Sequence, residues 1–544
     1  MKMKHLCSIL LSVLLQLTGI LPCFAATPGF EYLSYPPEAF TVFDSAMLSR
    51  ISSGDDCISN RGYNETGLYV SPFWTMTVNG KDVPVYATST YDWATDIGVL
   101  QSYQYIFIDD GAQLDAVLTF TGNGIKNAVV LPSKLNVAPD VNGREVSVRI
   151  SHTGSYTLLI NDASQETAVT LFVRENTDEN AEIEKLRAQY GESGVQVYEK
   201  GVYSVETLPT DADCIYFKRG SFVSFSHVRD IRKDEDAQGV ALAPAMELNG
   251  KSCASVKGCG TFDFTKIDRF ERNLICINFC ENTLVEGLIL LNPNSWTVTA
   301  YGCNDCEIRD ITVFGYRTNS DGINICGCEN MTVSGSFCRN GDDCFSVKAT
   351  NTEYECHDIV FSDCIGWTNK ARCFGITGEV ERDIYNILFS DCSVIVRNAV
   401  WDLNRTGSLV IAAETGSGCV RDVTFENVEI FKDTGRPVYC MVYGDNMDNC
   451  RIENITFRDI RMNADNKIKI SSQREISFFG KICAALNNTC LGNVKCLSDF
   501  FEHFYRAGNS VSVSFENVTL NGKILERTAP KSFEVFGNTQ ILFG

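Results

Sequence analysis

From about Thr27 to Val173, apolar and polar residues alternate in short runs broken by turn residues: "WTMTVNGKDVPVYA", "QYIFIDD", "LDAVLTFTGNG", "REVSVRISHTGSYTLLIN" and "TAVTLFV". A period of two is that of a half-buried strand, and Asn79-Gly80 and Asn142-Gly143 are hairpin pairs. The pattern predicts an antiparallel β-sandwich over residues 27–175. The stretch that follows, "RENTDENAEIEKLRAQYGESG", is charged, poor in strand formers and helical in pattern around Ile183 to Tyr190. Residues 176–194 are therefore expected to form a linker or short connecting helix.

From residue 195 to the end, the chain repeats itself. The units are "NTLVEGLILL", "NDCEIRDITV", "ENMTVSGSFC", "HDIVFSDCIGW", "YNILFSDCSVI", "VRDVTFENVEI", "IENITFRDIRM" and "VSVSFENVTL". Taking Gly287, Asp310, Gly335, Asp363, Asp391, Asn427, Asp459 and Asn517 as equivalent points, the intervals are 23, 25, 28, 28, 36, 32 and 58 residues. A period just above 20, with one or two apolar strands per unit, is what a parallel β-helix requires. A leucine-rich repeat has a similar period, but its Leu and Asn framework is missing. No single coil can bury its own apolar face, so the coils are expected to stack about 4.8 Å apart. The long last interval holds "FFGKICAALNNTCLGNVKCLSDFFEHFYRAG", an excursion expected to be pinned by Cys483, Cys490 or Cys496.

Composition adds limits. At 544 residues with 44% hydrophobic and 11% aromatic content, the chain has material for a large core and more than one domain. Lys2 and Lys4, the apolar run from Leu6 to Ile20 and "PCFA" ending in Ala25 read as an export signal over residues 1–25. No later stretch is long and apolar enough to predict a membrane span. The formal charge of −21, or −23 without Lys2 and Lys4, argues against nucleic acid as a partner. Of 24 Cys, 22 follow the signal, an even number that fits disulfides outside the cytoplasm. Many of them sit inside strand-like runs, where Cys also packs as a small buried residue. One CxxC (Cys303, Cys306), one CxC (Cys326, Cys328) and five His are too few for a zinc site, and no metal or other cofactor is expected. N-x-T sequons such as those at Asn64 and Asn404 matter only in a eukaryotic secretory pathway.

The candidate chemistry lies in "NSDGINICGCENMTVSGSFCRNGDDCFSVK", residues 319–348. Asp321 and Asp342 are 21 residues apart, close to one coil, and Asp343 follows at once. Stacked coils bring the three carboxyls together, where crowding raises at least one pKa and leaves an acid beside a base, the pairing used in glycoside hydrolysis. The alternative is structural: Asp is common in solenoid turns, as Asp310, Asp363 and Asp391 illustrate. Strict alternation also gives Asp343 the parity of Phe345 and Val347, so a bend at Gly341 to Asp343 is needed for both carboxylates to face outward.

"NSDG" at Asn319–Gly322, followed one coil later by "GDDC" at Gly341–Cys344, resembles the N-T-D and D-D motifs of polygalacturonases and of the related dextranase and isopullulanase family. The resemblance covers roughly residues 195–530. It implies an all-β, right-handed parallel β-helix, the pectin-lyase-like solenoid, as a catalytic domain over residues 195–544, and a sandwich ahead of it looks like the dextranase type. It further implies Asp342 as general acid, Asp321 and Asp343 holding the attacking water, and inversion at the anomeric centre.

Two departures bear on substrate. The stretch matching the polygalacturonase G-H-G motif is "TNKARCFGITG", with Lys370 and no His, and the stretch matching R-I-K is "GSLVIAAETGSG", which offers Leu409, Val410 and Ile411. A uronate chain would lose charge-assisted partners worth roughly 1.5–3 kcal/mol each. The expected substrate is therefore a neutral polysaccharide, held by Asn319, Lys348, Lys370 and Arg372 and by an aromatic platform drawn from Trp296, Tyr301, Tyr316, Trp367 and Trp401, with Trp367 placed in the site. The whole reading is of an exported inverting glycoside hydrolase. A polygalacturonase-type pectin hydrolase and a non-catalytic carbohydrate-binding β-helix are the alternatives, and a β-helix lyase is disfavoured by the missing basic cluster.

Overall fold

The eight points read as equivalent in the sequence occupy one backbone position. Gly287, Asp310, Gly335, Asp363, Asp391, Asn427, Asp459 and Asn517 all have φ between 51° and 81°. In this left-handed region Gly, Asn and Asp cost least, which is why those residue types recur. The Asn side chains also bridge coils: Asn427 Nδ2 donates to Asp391 Oδ1 and Asn517 Nδ2 to Asp459 Oδ1, both at 2.6 Å. Each point turns the chain from one wall of a solenoid to the next.

The computed structural model describes residues 29–45, 65–92, 97–161, 167–228, 243–398, 405–442, 450–472, 509–527 and 530–544. The expected export signal, the excursion with Cys483, Cys490 and Cys496, Asn64, Asn404 and Trp401 lie outside the described residues.

Three long sheets form the solenoid. The first wall has 12 strands, running from Val195–Tyr198 to Thr539–Phe543. The second also has 12, beginning at Gly201–Val205, and the third has 10, from Met246–Asn249 to Phe533–Phe536. Across residues 282–460 every pairing within these walls is parallel, as a β-helix requires. The bore is filled by one cluster in which Phe361, Phe389, Phe425, Phe457 and Phe515 stack with centroids 4.8 to 5.1 Å apart. That separation is the spacing between neighbouring strands, so each repeat contributes one ring to a continuous column.

Twelve cysteines share this bore, and all eighteen described cysteines are free thiols. The expected disulfides do not appear among the described residues. Where inward positions are crowded by a phenylalanine column, Cys serves as a small apolar filler.

Ahead of the solenoid, a seven-stranded and a five-stranded sheet enclose their own apolar cluster. The hairpin at Asn79-Gly80 joins Trp74–Val78 to Lys81–Val83, with both turn residues at positive φ. The sandwich is not wholly antiparallel. Val169–Glu175 runs parallel to Ile97–Ile108, which aims the last strand toward the solenoid. A helix, α1 (Glu179–Tyr190), follows; the Asp178 carboxylate accepts from the amides of Asn180 and Ala181 at its start. Its Ile183 and Leu186 bury against Val195 and Tyr216 of the first wall.

The sandwich lies on the second wall. Phe314, Phe337, Ile365 and Trp367 point outward there and bury against Tyr103, Tyr105 and Phe172. Trp367 is 0% exposed, with the Arg339 guanidinium 3.9 Å from its ring and Arg339 bonded in turn to Gln101. It is thus a component of the inter-domain contact and no sugar platform, a correction to its expected role. Alternation does place Trp367 on the outer face of the coil, but protein covers that face. Tyr316, 2% exposed, is likewise unavailable to a ligand.

Candidate active site

The site forms where successive coils turn from the second wall into the third. Thr312–Phe314 leads to Ile323–Cys326 through a corner carrying Asn319 and Asp321. One coil on, Phe337–Asn340 leads to Phe345–Ala349 through Gly341, Asp342, Asp343 and Cys344. In the next, Ile365–Thr368 leads to Phe374–Val380 through Lys370 and Arg372. The corners are tied by backbone bonds, Gly322 N to Asp343 O at 2.8 Å and Cys344 N to Arg372 O at 2.9 Å. The bend that alternation alone could not supply is therefore present. Gly341 makes it possible: a Cβ there would lie 2.3 Å from the Arg317 carbonyl oxygen, so no larger residue fits.

These corners open into a cleft of about 320 Å³ lined by Trp296, Asn319, Asp321, Asp342, Asp343, Lys348, Lys370 and Arg372, together with Glu379 and Glu414. Every sequence-predicted site residue except Trp367 lines it. Asn319, at φ 62°, donates its amide to Asp342 Oδ2 at 3.0 Å and accepts from Arg269 through its side chain at 2.7 Å. Lys370 Nζ donates to Thr318 Oγ1 at 2.7 Å.

The carboxyl groups are held differently. Asp342 is partly exposed and accepts from two amides, those of Asn319 and Asp343. Burial, with the charge of Asp343 added, still prevails over those bonds and over Lys370, and pushes its carboxyl up to about 6. Asp321 is 3% exposed, and burial, then the charge of Asp342, raises it well above the usual carboxylate range despite Lys348 and the Asn324 amide. Asp343, equally buried, accepts from the Arg372 amide at 3.2 Å and from the Arg372 guanidinium at 3.4 Å. With two carboxyls raised and strongly interacting, the cluster retains a proton into the weakly acidic range, and that proton belongs to the group as a whole.

Two cations at the cleft floor are committed to carboxylates of the chain. Lys348 donates to the Thr377 carbonyl at 2.9 Å and to Glu379 at 3.1 Å, with its ammonium 4.8 Å from the Trp296 ring. Burial opposes its charge, but Glu379, Asp321 and Asp343 outweigh that and raise its pKa. Arg372 is 4% exposed and contacts Asp343, the Arg405 carbonyl and Glu414. Burial opposes its charge too, and Asp343 and Glu414 outweigh it. Arg405 also reaches Glu414, and although burial raises that carboxyl, the two guanidiniums hold it below its ordinary value. Glu379 and Glu414 were not legible as site residues. Glu379 lies in Phe374–Val380 and Glu414 in Leu409–Thr415, third-wall strands whose mutual register slips at Gly378/Glu379, a local irregularity that no repeat pattern encodes.

Among the described residues one set of side chains stands close enough together to be potential metal ligands: His227, Asp268 and Glu271. Glu271 accepts from His227 Nδ1 (2.6 Å) and from the amides of Val228 (2.6 Å) and Asp268 (3.0 Å), so it ties down a turn outside the cleft.

The model of Glycosyl hydrolases family 28 matches residues 240–482, which contain the whole cleft. An exopolygalacturonase of Zea mays is 24% identical over 204 residues, 35% of this chain and 46% of that protein. A probable exopolygalacturonase A of Aspergillus niger is 26% identical over 160 residues, 27% of this chain and 36% of that protein. The chain thus spans less than half the length of these curated relatives. Among solved structures, Dex49A from Penicillium minioluteum superposes with a TM-score of 0.59 at 11% identity, covering 89% of this chain and 96% of that one, a likeness of fold that includes the sandwich. The chain is a polygalacturonase- and dextranase-like parallel β-helix protein.

Proposed function

We propose that the protein is an exported, inverting O-glycosyl hydrolase that cleaves a neutral polysaccharide. The observation that carries this reading is the convergence of Asp321, Asp342 and Asp343 in one cleft whose buried cations already have carboxylate partners. Asp342, with its raised pKa and partial exposure, is suited to protonate the leaving glycosidic oxygen. Asp343, in contact with Arg372, is suited to deprotonate a water for attack on the opposite face of the sugar, and Asp321 beside it to hold that water in place. Trp296, partly exposed at the cleft wall, offers the aromatic face that Trp367 does not.

Neutrality of the substrate follows from charge. The cleft holds five carboxyl groups against Lys348, Lys370 and Arg372, and a uronate would enter a site already short of positive charge. A polygalacturonase-type reading is favoured instead by the curated relatives and by Lys370, which stands partly exposed at the rim. Reducing-end release should be measured on dextran, pullulan, polygalacturonate and rhamnogalacturonan, with the anomer of the first product read by proton NMR. We expect a neutral glycan to be cleaved fastest with inversion. Dominant activity on polygalacturonate would overturn neutrality, and binding without any release would leave a carbohydrate-binding solenoid.

A further inference from the structure

The turns that close the strands of the third wall form a ladder of their own. Gly250, Phe279, Gly302 and Gly327 each follow a strand of that wall directly, and all have φ between 52° and 63°. Three coils use glycine, the residue this conformation suits. The fourth uses phenylalanine, whose bulk makes the left-handed region a genuine outlier.

The neighbouring glycines explain how the ring is accommodated. A Cβ at Gly302 would lie 2.8 Å from Phe279 Cδ1, and one at Gly327 would lie 2.9 Å from the Tyr354 Cβ. The missing side chains are the seats of Phe279 and Tyr354. Tyr301 completes the group, edge-on to both: centroids are 5.3 Å from Phe279 to Tyr301, 5.9 Å from Tyr301 to Tyr354 and 6.1 Å from Phe279 to Tyr354. The Tyr301 hydroxyl accepts from Asn351, whose carbonyl oxygen takes the Tyr354 amide at 3.2 Å. Despite this fixing, Phe279 is 49% and Tyr354 37% exposed. A strained residue and a fixed loop hold apolar rings in water, and neither contributes to a core.

The cluster is continuous with the cleft. Tyr301 pairs across strands with Cys326, and Cys326 with Lys348, so the rings stand two coils from a residue that lines the cleft floor. Two coils are about 10 Å, the scale of a pair of pyranose units. From these placements we infer that Phe279, Tyr301 and Tyr354 form a distal sugar-binding platform that stacks on pyranose faces of a polysaccharide whose adjoining portion occupies the cleft.

The alternative occupant is a second copy of this protein. Two exposed rings and a partly buried third present a few hundred Å² at most, against about 800 Å² per partner in a stable protein interface. Asn278, Asn351 and Glu353 bring polar groups to the same turns, which suits sugar hydroxyls. The chain's charge of −21 also opposes self-association.

The inference rests on the glycan-cleaving reading of the cleft, and binding separates the two. Asp342→Asn protein should be run in native gels containing dextran, pullulan or polygalacturonate, alone and with Phe279→Gly plus Tyr354→Ala. We expect retardation by a neutral glycan, and a weakening of about ten-fold in apparent affinity on losing the two rings. Phe279→Gly restores the residue of the neighbouring coils, so its thermal midpoint should not fall, and lost retention then reports lost contacts. Retention that survives the double substitution, or no retention on any gel, overturns the platform. If the parent protein hydrolyses none of these glycans but retention still depends on the rings, the platform stands and the hydrolase reading falls. Self-association that disappears with the rings, without glycan retention, would assign the patch to a second copy and overturn the platform too.

Discussion

The first and third walls of the solenoid are made from the same coils and have opposite characters. Between Cys356–Ser362 and Arg451–Arg458 the first wall pairs residue for residue over four coils without a slip. The third wall slips at Val347/Ala349 and again at Gly378/Glu379. The first wall repeats one ring per coil, whereas each corner entering the third wall is different: Asn319 and Asp321, then Asp342 and Asp343, then Lys370 and Arg372. Regular pairing supplies stability, and departures from it place charged groups that a repeat would have buried or exposed uniformly.

The comparison is broken most sharply at Asp342. Asp342→Asn removes the proposed acid, and turnover of substrates with poor leaving groups should fall by about 10²–10⁴. Activated aryl glycosides, which need little protonation, should be partly spared, whereas Asp321→Asn and Asp343→Asn should impair both. Turnover on the two substrate types, alongside thermal unfolding, checks this. Losses that track unfolded protein would mark the carboxylates as turn residues.

A change in the regular wall should do the reverse. Phe425 lies between Phe389 and Phe457 in the bore and is fully buried. Phe425→Ala should cost about 3–5 kcal/mol of stability, read from chemical denaturation, while the folded fraction keeps its activity. A loss of turnover in fully folded protein would show that the two walls are coupled.

The smallest effect sharpens the electrostatic side. Asp342 holds its proton to about 6 in the folded protein against an ordinary 3.8, so between those values the native state binds more protons than the unfolded one. Stability therefore falls as pH rises through that window, and the cost is constant above it. Asp342→Asn should exceed the parent by on the order of 1–3 kcal/mol above pH 6, partial exposure reducing the effect, and should lose that advantage below about pH 4. In the parent, kcat/KM should decline on the alkaline side near pH 6 as the acid ionises. An Asp342→Asn stability gain that is the same at pH 4 and pH 7 would contradict the assignment.

What could be read from the chain tracks this division. The repeat and its eight turn points were legible because a left-handed turn restricts residue type in every coil, and the Asp triad because one coil's length separates Asp321 from Asp342. The partners Glu379 and Glu414 were hidden behind register slips, which depend on three-dimensional packing. Trp367 was misassigned because alternation specifies the outer face of a coil and says nothing about what covers that face. The cysteines left two readings open because a buried ladder position and a disulfide select the same residue, and the described ones are free thiols.

The contact between the sandwich and the second wall also orders events in time. The outward rings Phe314, Phe337 and Trp367 need a cover that lies earlier in the chain, at Tyr103, Tyr105 and Phe172. During synthesis the N-terminal unit emerges and folds first, at roughly 5–20 residues per second. Wherever the chain emerges N-terminus first, each new coil therefore meets an apolar surface already formed, and the sandwich can act as an intramolecular template that keeps the aromatic stripe of a half-built solenoid from finding another chain.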